Sequence, residues 1–448
     1  MEAIGVFFEN LGNWVWGPYL LVLLVGTGIY LTVRLAGLQF SLLPYALKQV
    51  VCGHKNREQQ GDISHFAALM TALSATIGTG NIAGVATAVV LGGPGAVFWM
   101  WITAVFGMAT KYAEAVLAVK YRVQDARGEM AGGPMYYIER GMKQKWLAVA
   151  FAVFAVVASF GIGSSVQSNS VADVLHASFQ VEGWKTGVVL TFLTGLVILG
   201  GIKSIARAAS VIVPFMAFFY VAGGLLILIT HWHLLGDALA LIFTDAFTGQ
   251  AAAGGALGTV IRYGVARGVF SNEAGLGSAP IAAAAAKTDH PVRQALVSMT
   301  GTFTDTIVVC SITGLVLVVS QLSFPDLVGT GAALTTRSFD ALLPTIGGWI
   351  VSFGIVFFAY STILGWCYYG EKCAVYLFGE RTVPYYRLAY VGAVMIGSVA
   401  SLEVVWAASD AFNGLMAIPN LIALLALTGV VVKETKDFKQ KRATGELT

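Results

Sequence analysis

The stretch SATIGTGNIAG (residues 74–84) lies inside an apolar run long enough to cross a bilayer, yet it holds three glycines, two threonines, a serine and an asparagine. Each Gly in a helix interior costs about 1 kcal/mol relative to Ala. An unpaired backbone group in hydrocarbon costs more still. A segment that had only to span would not be written this way. The composition predicts a helix broken at membrane depth.

The rest of the chain agrees with that setting. Of its 448 residues, 57% are hydrophobic and 11% charged, whereas soluble domains carry about 25% charged residues. Mean hydropathy is +0.75. This is the composition of an all-helical integral membrane protein. Net charge is only +3, and the basic residues lie in short loops rather than one patch, so nucleic-acid binding has no footprint. Cys52, Cys310, Cys367 and Cys373 show no paired spacing and read as packing residues or free thiols, not a disulfide framework or metal site. Glu2 and Glu9, with no basic region before WVWGPYLLVLLVGTGIYLTV (14–33), indicate a retained span rather than a cleaved signal.

At about 20 residues per crossing, eleven candidate spans are present. An extra span at 14–34 precedes a group of five within 64–230 (64–91, 95–121, 146–175, 184–201, 205–230). A second group of five fills 255–432 (255–286, 292–320, 344–376, 384–402, 404–432), and a tail follows at 433–448. Together they make one transmembrane domain. Alternate connections hold Arg34 to Arg57, Lys120 to Lys145, Lys203 and Arg207, Lys287 and Arg293, Lys372 to Arg387, and the tail; the opposite set holds only Lys185 and Arg337. That asymmetry puts the N-terminus outside, the C-terminus in the cytoplasm, and requires an odd number of spans. Residues 41–60 read equally well as a short interfacial helix or a solvated basic connector.

A second interrupted segment, ARGVFSNEAGLGSAP (266–280), opens the second group as 74–84 opens the first. Paired Gly/Pro-interrupted segments at matching positions point to a transporter built as an inverted repeat, here five plus five with two discontinuous helices. Close helix packing through small residues is the rival explanation, weakened by the polar residues at both breaks. Breaking a helix supplies chemistry. From about Gly80 the free N–H groups and positive dipole end suit a carboxylate. Before the break, near Ser74 to Ile77, free carbonyls suit an ammonium group or Na⁺, and Asn81 adds a side-chain acceptor and donor. A zwitterion is thereby held without a fully charged side chain.

Residues 92–107, GGPGAVFWMWITAVFG, resemble the signature of the alanine or glycine:cation symporter family, and GTGN (78–81) is similar to the first-helix break of leucine-transporter-fold proteins. The resemblance covers essentially the whole chain. On its residues alone the signature is more modest: an outer turn, then Phe98, Trp99 and Trp101 as interfacial aromatics.

The resemblance implies a site. Gly78, Thr79, Gly80 and Asn81 would line the substrate with Gln167, Phe270, Thr362 and Trp366. Gln167, in FGIGSSVQSNS (160–170) beside Asn169, would face the substrate carboxylate; an interhelical hydrogen bond is the plainer reading. In FFAYSTILGWCYYGEK (357–372), Ser361 and Thr362 stand three and four residues past Phe358. The carbonyls of Ser74, Ile77 and Phe358 with the hydroxyls of Ser361 and Thr362 would hold Na⁺, a coupling ion and not a resident cofactor. Trp366 and Phe270 would leave room for a small side chain, though Trp366 also fits plain core packing.

Ionisable residues within spans include Lys111, Glu114, Arg262, Arg267, Glu273, Asp305 and Asp410, and such charges are functional by default. Glu273, at the second break, is expected to gate or strut against Lys111 or Arg267; Lys111 and Glu114, at i, i+3, could instead neutralise each other. His231 and His233 suit headgroup contact better than metal. The expected activity is Na⁺-coupled uptake of alanine, glycine or a close relative across the cell (inner) membrane, with the lipid bilayer and a small neutral amino acid as partners and no required protein partner. H⁺ coupling through Glu273 or Asp305 is one alternative, an amino-acid-gated receptor or channel another. No nucleotide motif, metal set or nucleophile–base pair suggests an enzyme.

Overall fold

Where the apolar runs are uninterrupted, the chain forms helices of 23 to 35 residues. The computed structural model describes residues 2–51, 59–248, 257–400 and 403–447; Cys52, Lys55, Arg57 and the first two residues of the second group lie outside them. Among the described residues, seven helices are long and apolar enough to cross a membrane: Ile4–Arg34, Ala96–Lys120, Lys145–Phe179, Gly201–Thr230, Pro291–Ser323, Gly347–Phe378 and Val404–Ala426. His65–Thr76 and Thr79–Gly92, bent by 63° at the predicted break, make an eighth. Three expected spans fall short. Gly183–Ile198 and Leu257–Asn272 have 16 residues and Val383–Val399 has 17, roughly 24–26 Å of helix against a core of about 30 Å.

Local chemistry sets the boundaries. Pro18, at the first helical position after Gly17, separates Glu2–Val15 from Pro18–Arg34, where the sequence predicted one span from residue 14. Within 41–60, where the sequence leaves a short helix and a solvated connector equally open, Leu43–Val51 is helical, and 52–58 lie outside the described residues. The tail is no loose end: Thr428–Ala443 is a helix. It is held by Lys120 Nζ to Glu434 at 2.8 Å, by Tyr112 to Thr435 at 2.8 Å, and by His290 Nε2 to Asp437 at 3.1 Å. An antiparallel pair, Val123–Gln124 with Met130–Ala131, was not legible as strand.

Two segments are wound as π-helix, Gly161–Ser165 and Phe303–Cys310, a rare form that concentrates at functional sites. Both flank the breaks. Gly163 lets the first lie against the helix Gly347–Phe378: a Cβ there would come within 2.3 Å of Trp366 Cβ. Gly365 does the same for the first broken helix, with its missing Cβ 2.8 Å from Ala75 N and Ser74 Oγ. Small residues are how membrane helices approach closely when hydrophobicity gives no drive. Gly365→Val should therefore push these helices apart and cost about 1–3 kcal/mol by overpacking, read as a lower midpoint of thermal unfolding in detergent, whereas Gly392→Ala, mid-helix with nothing within 4 Å of the new Cβ, should not lower it and should raise it slightly.

Candidate functional site

The helix His65–Thr76 ends because Ile77 leaves the helical region and Gly78 is extended. Its last carbonyls turn toward the neighbouring helix Gly347–Phe378. Ser361 Oγ lies 3.2 Å from the Ser74 carbonyl and 2.9 Å from that of Phe358. Thr362 Oγ1 lies 3.4 Å from the Ile77 carbonyl and 2.9 Å from Phe358. The five oxygens named from sequence as Na⁺ ligands are thus brought together. They share only two hydroxyl hydrogens, so the cluster is rich in lone pairs and suits a hard cation. All five residues are buried.

Past the break, Thr79–Asn81 makes one 3₁₀ turn. Thr79 and Gly80 begin it, so their N–H groups have no intrahelical acceptor. Gly78 differs from the expectation: its N–H donates to Asn81 Oδ1 at 2.9 Å. Asn81 is thereby a strut, since its Nδ2 donates to Asp305 Oδ1 at 2.7 Å. Gly78 is required by space, for a Cβ would meet Thr362 Oγ1 at 2.6 Å. Gln167 Nε2 donates to the Ile162 carbonyl at 2.9 Å, which fixes the amide orientation, and its buried Oε1 has no partner. That oxygen lies 3.6 Å from the same Gly78 Cβ position. It faces the break as an acceptor, suited to an ammonium rather than the carboxylate expected from the resemblance. Phe270 sits over Gly80, 3.2 Å from where its Cβ would be.

The charged residues do not pair as expected. Lys111 Nζ donates to the Asn272 carbonyl at 2.8 Å. Glu114 Oε1 accepts from Gly275 N and Gly277 N, both at 3.1 Å, and from Asn420 Nδ2 at 2.6 Å. Neither the Glu273–Lys111 strut nor a Lys111–Glu114 ion pair forms among the described residues. The reason is the second break, whose released carbonyls and N–H groups attract the ammonium and the carboxylate respectively. Glu273, left-handed at φ 55°, accepts from Ser278 Oγ at 2.6 Å and from Trp366 Nε1 at 3.0 Å. Trp366 is thus tied to the second break as well as packed in the core. Arg267 lies over the Phe270 ring at 5.7 Å.

A cavity of about 570 Å³ reaches the break from one side, bounded at depth by Thr79, Gly80, Ile162 and Phe270 and at its mouth by Glu9, Arg267, Trp406 and Asp410. His231 and His233 sit apart at a helix end, 6.3 Å ring to ring; among the described residues no group of three or more His, Cys, Asp or Glu side chains could hold a metal ion.

The sequence pattern of the sodium:alanine symporter family matches residues 1–448. The chain belongs to the sodium:alanine symporter family. It is 62% identical over 440 residues to the sodium/alanine symporter AgcS of Methanococcus maripaludis, covering 97% of each chain. It is 39% identical to the probable sodium/glutamine symporter GlnT of Bacillus subtilis, over 96% of this chain and 90% of that one. The crystal structure of MhsT in complex with L-phenylalanine shares the fold, of the leucine-transporter type, with a TM-score of 0.58 over 84% of this chain and 99% of that one at 13% identity.

Within this family member the signature 92–107 does more than anchor. Gly95 N donates to Asp245 Oδ2 at 2.8 Å, Trp99 Nε1 to the Ala246 carbonyl at 3.0 Å, and Trp101 Nε1 to Ser311 Oγ at 2.8 Å. The turn docks on its neighbours instead of ending in headgroups. Sequence reasoning also missed Ser271 and Thr306, which donate to Asp305 Oδ2 at 2.9 and 2.8 Å, and Asn420 on the last apolar span. Their only signal was small polar residues in apolar runs. Trp366→Phe keeps an aromatic ring, smaller than the indole, and removes the donor to Glu273, leaving a buried carboxylate oxygen unpaired; the lost hydrogen bond, about 1.5–3 kcal/mol for one to a charged group, should appear as a lower midpoint of thermal unfolding in detergent.

Proposed function

We propose that this protein couples inward movement of Na⁺ to uptake of a small neutral amino acid, alanine or glycine, by alternating access. The observation that carries the reading is the five-oxygen cluster at the first break, which joins Ser74 and Ile77 to Phe358, Ser361 and Thr362. An alkali cation there neutralises carbonyl ends of one helix and draws a second helix to it. The free N–H groups of Thr79 and Gly80 take the substrate carboxylate, and Gln167 Oε1 takes its ammonium. Phe270 and Trp366 bound the side-chain space and keep it small. Membership of the sodium:alanine symporter family supports the ion and the substrate class.

The architecture proposed with it has eleven crossings: the eight apolar spans, including the bent pair, plus Gly183–Ile198, Val383–Val399 and a second discontinuous helix starting at Leu257–Asn272. Ten of them form two inverted repeats of five within 64–230 and 255–432, after an additional N-terminal crossing. Charge asymmetry of the connections supports a cytoplasmic C-terminal helix and an outer N-terminus. The 570 Å³ cavity then opens outward.

The energetics are adequate. One Na⁺ crossing about 100 mV supplies ~2.3 kcal/mol, and a roughly tenfold gradient adds about 1.4 kcal/mol, together enough for several hundred-fold accumulation. H⁺ coupling is the alternative that a specific observation favours, because Glu114, Glu273 and Asp305 are all buried near a single Lys111. Labelled L-alanine uptake into proteoliposomes under imposed gradients separates the two. Uptake with an inward Na⁺ gradient, absent with an H⁺ gradient alone and lost in Thr362→Val, is expected; uptake driven by H⁺ alone would transfer coupling to the carboxylates.

A further inference from the structure

The two ends of the pathway are unlike. Away from the 570 Å³ cavity, between the broken helices, lies a space of only about 10 Å³, room for one water, lined by Ala72, Thr76, Lys111, Ala279 and Ser298 among others. Below it the chain entering the first broken helix is stitched to the chain leaving the second. Asp62 N and Ile63 N donate to the Ala285 carbonyl at 2.8 and 3.2 Å, and Lys287 N donates to that of Ile63 at 2.7 Å. Ile63 and Ala286 form a parallel bridge. Gly61, at φ 148°, permits the contact, for a Cβ would lie 2.4 Å from Lys287 N.

One side chain spans the stitch. Arg122 Nη1 donates to the Ala284 and Ala286 carbonyls at 3.0 and 2.7 Å, and Nη2 donates to Gln60 at 2.9 Å. Arg122 stands at the root of the short hairpin, which is itself fixed to the helix Gly347–Phe378: the buried Lys372 Nζ reaches Asp125 at 3.2 Å and Glu129 at 2.9 Å. Asp62 closes the loop by accepting from Met130 N at 2.8 Å. The connections 35–64, 121–144 and 284–290 are three of those that the basic-residue count assigns to the cytoplasm.

We infer that Arg122 latches the cytoplasmic end of the pathway, tying the entry of the first broken helix to the exit of the second from a hairpin anchored on the rest of the bundle. The inference rests on the alternating-access reading. Its chemistry suits a latch. The guanidinium fork is charged at every working pH and reaches several acceptors at once. Its hydrogen-bond acceptors are neutral carbonyls, and the nearby half-buried Asp62 keeps its own bond from Met130 N, so release breaks no hydrogen-bonded buried ion pair of the kind that is costly to open. Water entering the opened end can satisfy the freed carbonyls.

The test uses two reporter cysteines in the full chain, Ala72→Cys behind the stitch and Thr87→Cys in the opposite cavity, in a Cys52→Ser background, since the other three cysteines, Cys310, Cys367 and Cys373, are buried. In Na⁺, Arg122→Gln should speed maleimide labelling at Ala72→Cys by at least about tenfold, the ratio that 1.4 kcal/mol produces, and slow it at Thr87→Cys. Arg122→Lys should fall between, and Gly61→Val should act like Arg122→Gln without touching the arginine. Reciprocal change is what a latch predicts. Faster labelling at both reporters would mean simple loosening and would overturn the inference, as would no change at Ala72→Cys. Failure of the transport reading is visible separately, as absence of alanine uptake by the parent chain.

Discussion

Breaking a helix inside hydrocarbon releases carbonyl and N–H groups that lipid cannot satisfy, and this constraint organises the molecule. At the first break the carbonyls of Ser74 and Ile77 meet the Ser361 and Thr362 hydroxyls, while the Gly78 N–H is taken by Asn81. At the second, Lys111 takes the Asn272 carbonyl and Glu114 takes the N–H groups of Gly275 and Gly277. The carbonyls of Ser74, Ile77 and Asn272 and the N–H groups of Gly275 and Gly277 acquire partners on a different helix, whereas the Gly78 N–H is capped within its own segment. The breaks are therefore the points through which helices distant in sequence are held in register.

The same accounting explains why so much charge is buried beside the site. A lysine and three carboxylates at membrane depth would be costly as isolated ions. Here each is engaged by backbone or by neutral donors: Asp305 by Asn81, Ser271 and Thr306, and Glu273 by Ser278 and Trp366. Asp305 touches residues of both breaks, and Glu273 ties the second break to the helix carrying Ser361 and Thr362, so the two breaks share one hydrogen-bonded network. Such a shared network favours discrete arrangements over continuous deformation.

Much of the oxygen cluster was legible because its logic is local. Phe358, Ser361 and Thr362 share one helix face by their i, i+3, i+4 spacing, and a Gly-rich interruption announces free carbonyls near Ser74. The resemblance of 78–81 and 92–107 to a known family then suggested which faces meet. The partners of the charges were not legible. Lys111 and Glu114 look like an i, i+3 pair on paper, but the second break offers each a better partner, and sequence spacing carries no information about where that break lies in space. The π-helical turns at Gly161–Ser165 and Phe303–Cys310 were equally invisible, since their residues differ little from those of ordinary helix.

The sequence by itself determined the membrane setting and the two breaks, because apolar length and glycine content act within a single segment. Only the tertiary structure decided that Asn81 braces the break instead of lining it, and that the Gln167 carbonyl oxygen is left to face it. It also decided that segments 60–63 and 284–288 close against each other under Arg122. These outcomes depend on which donors and acceptors from distant helices arrive at one point. No local pattern encodes that competition.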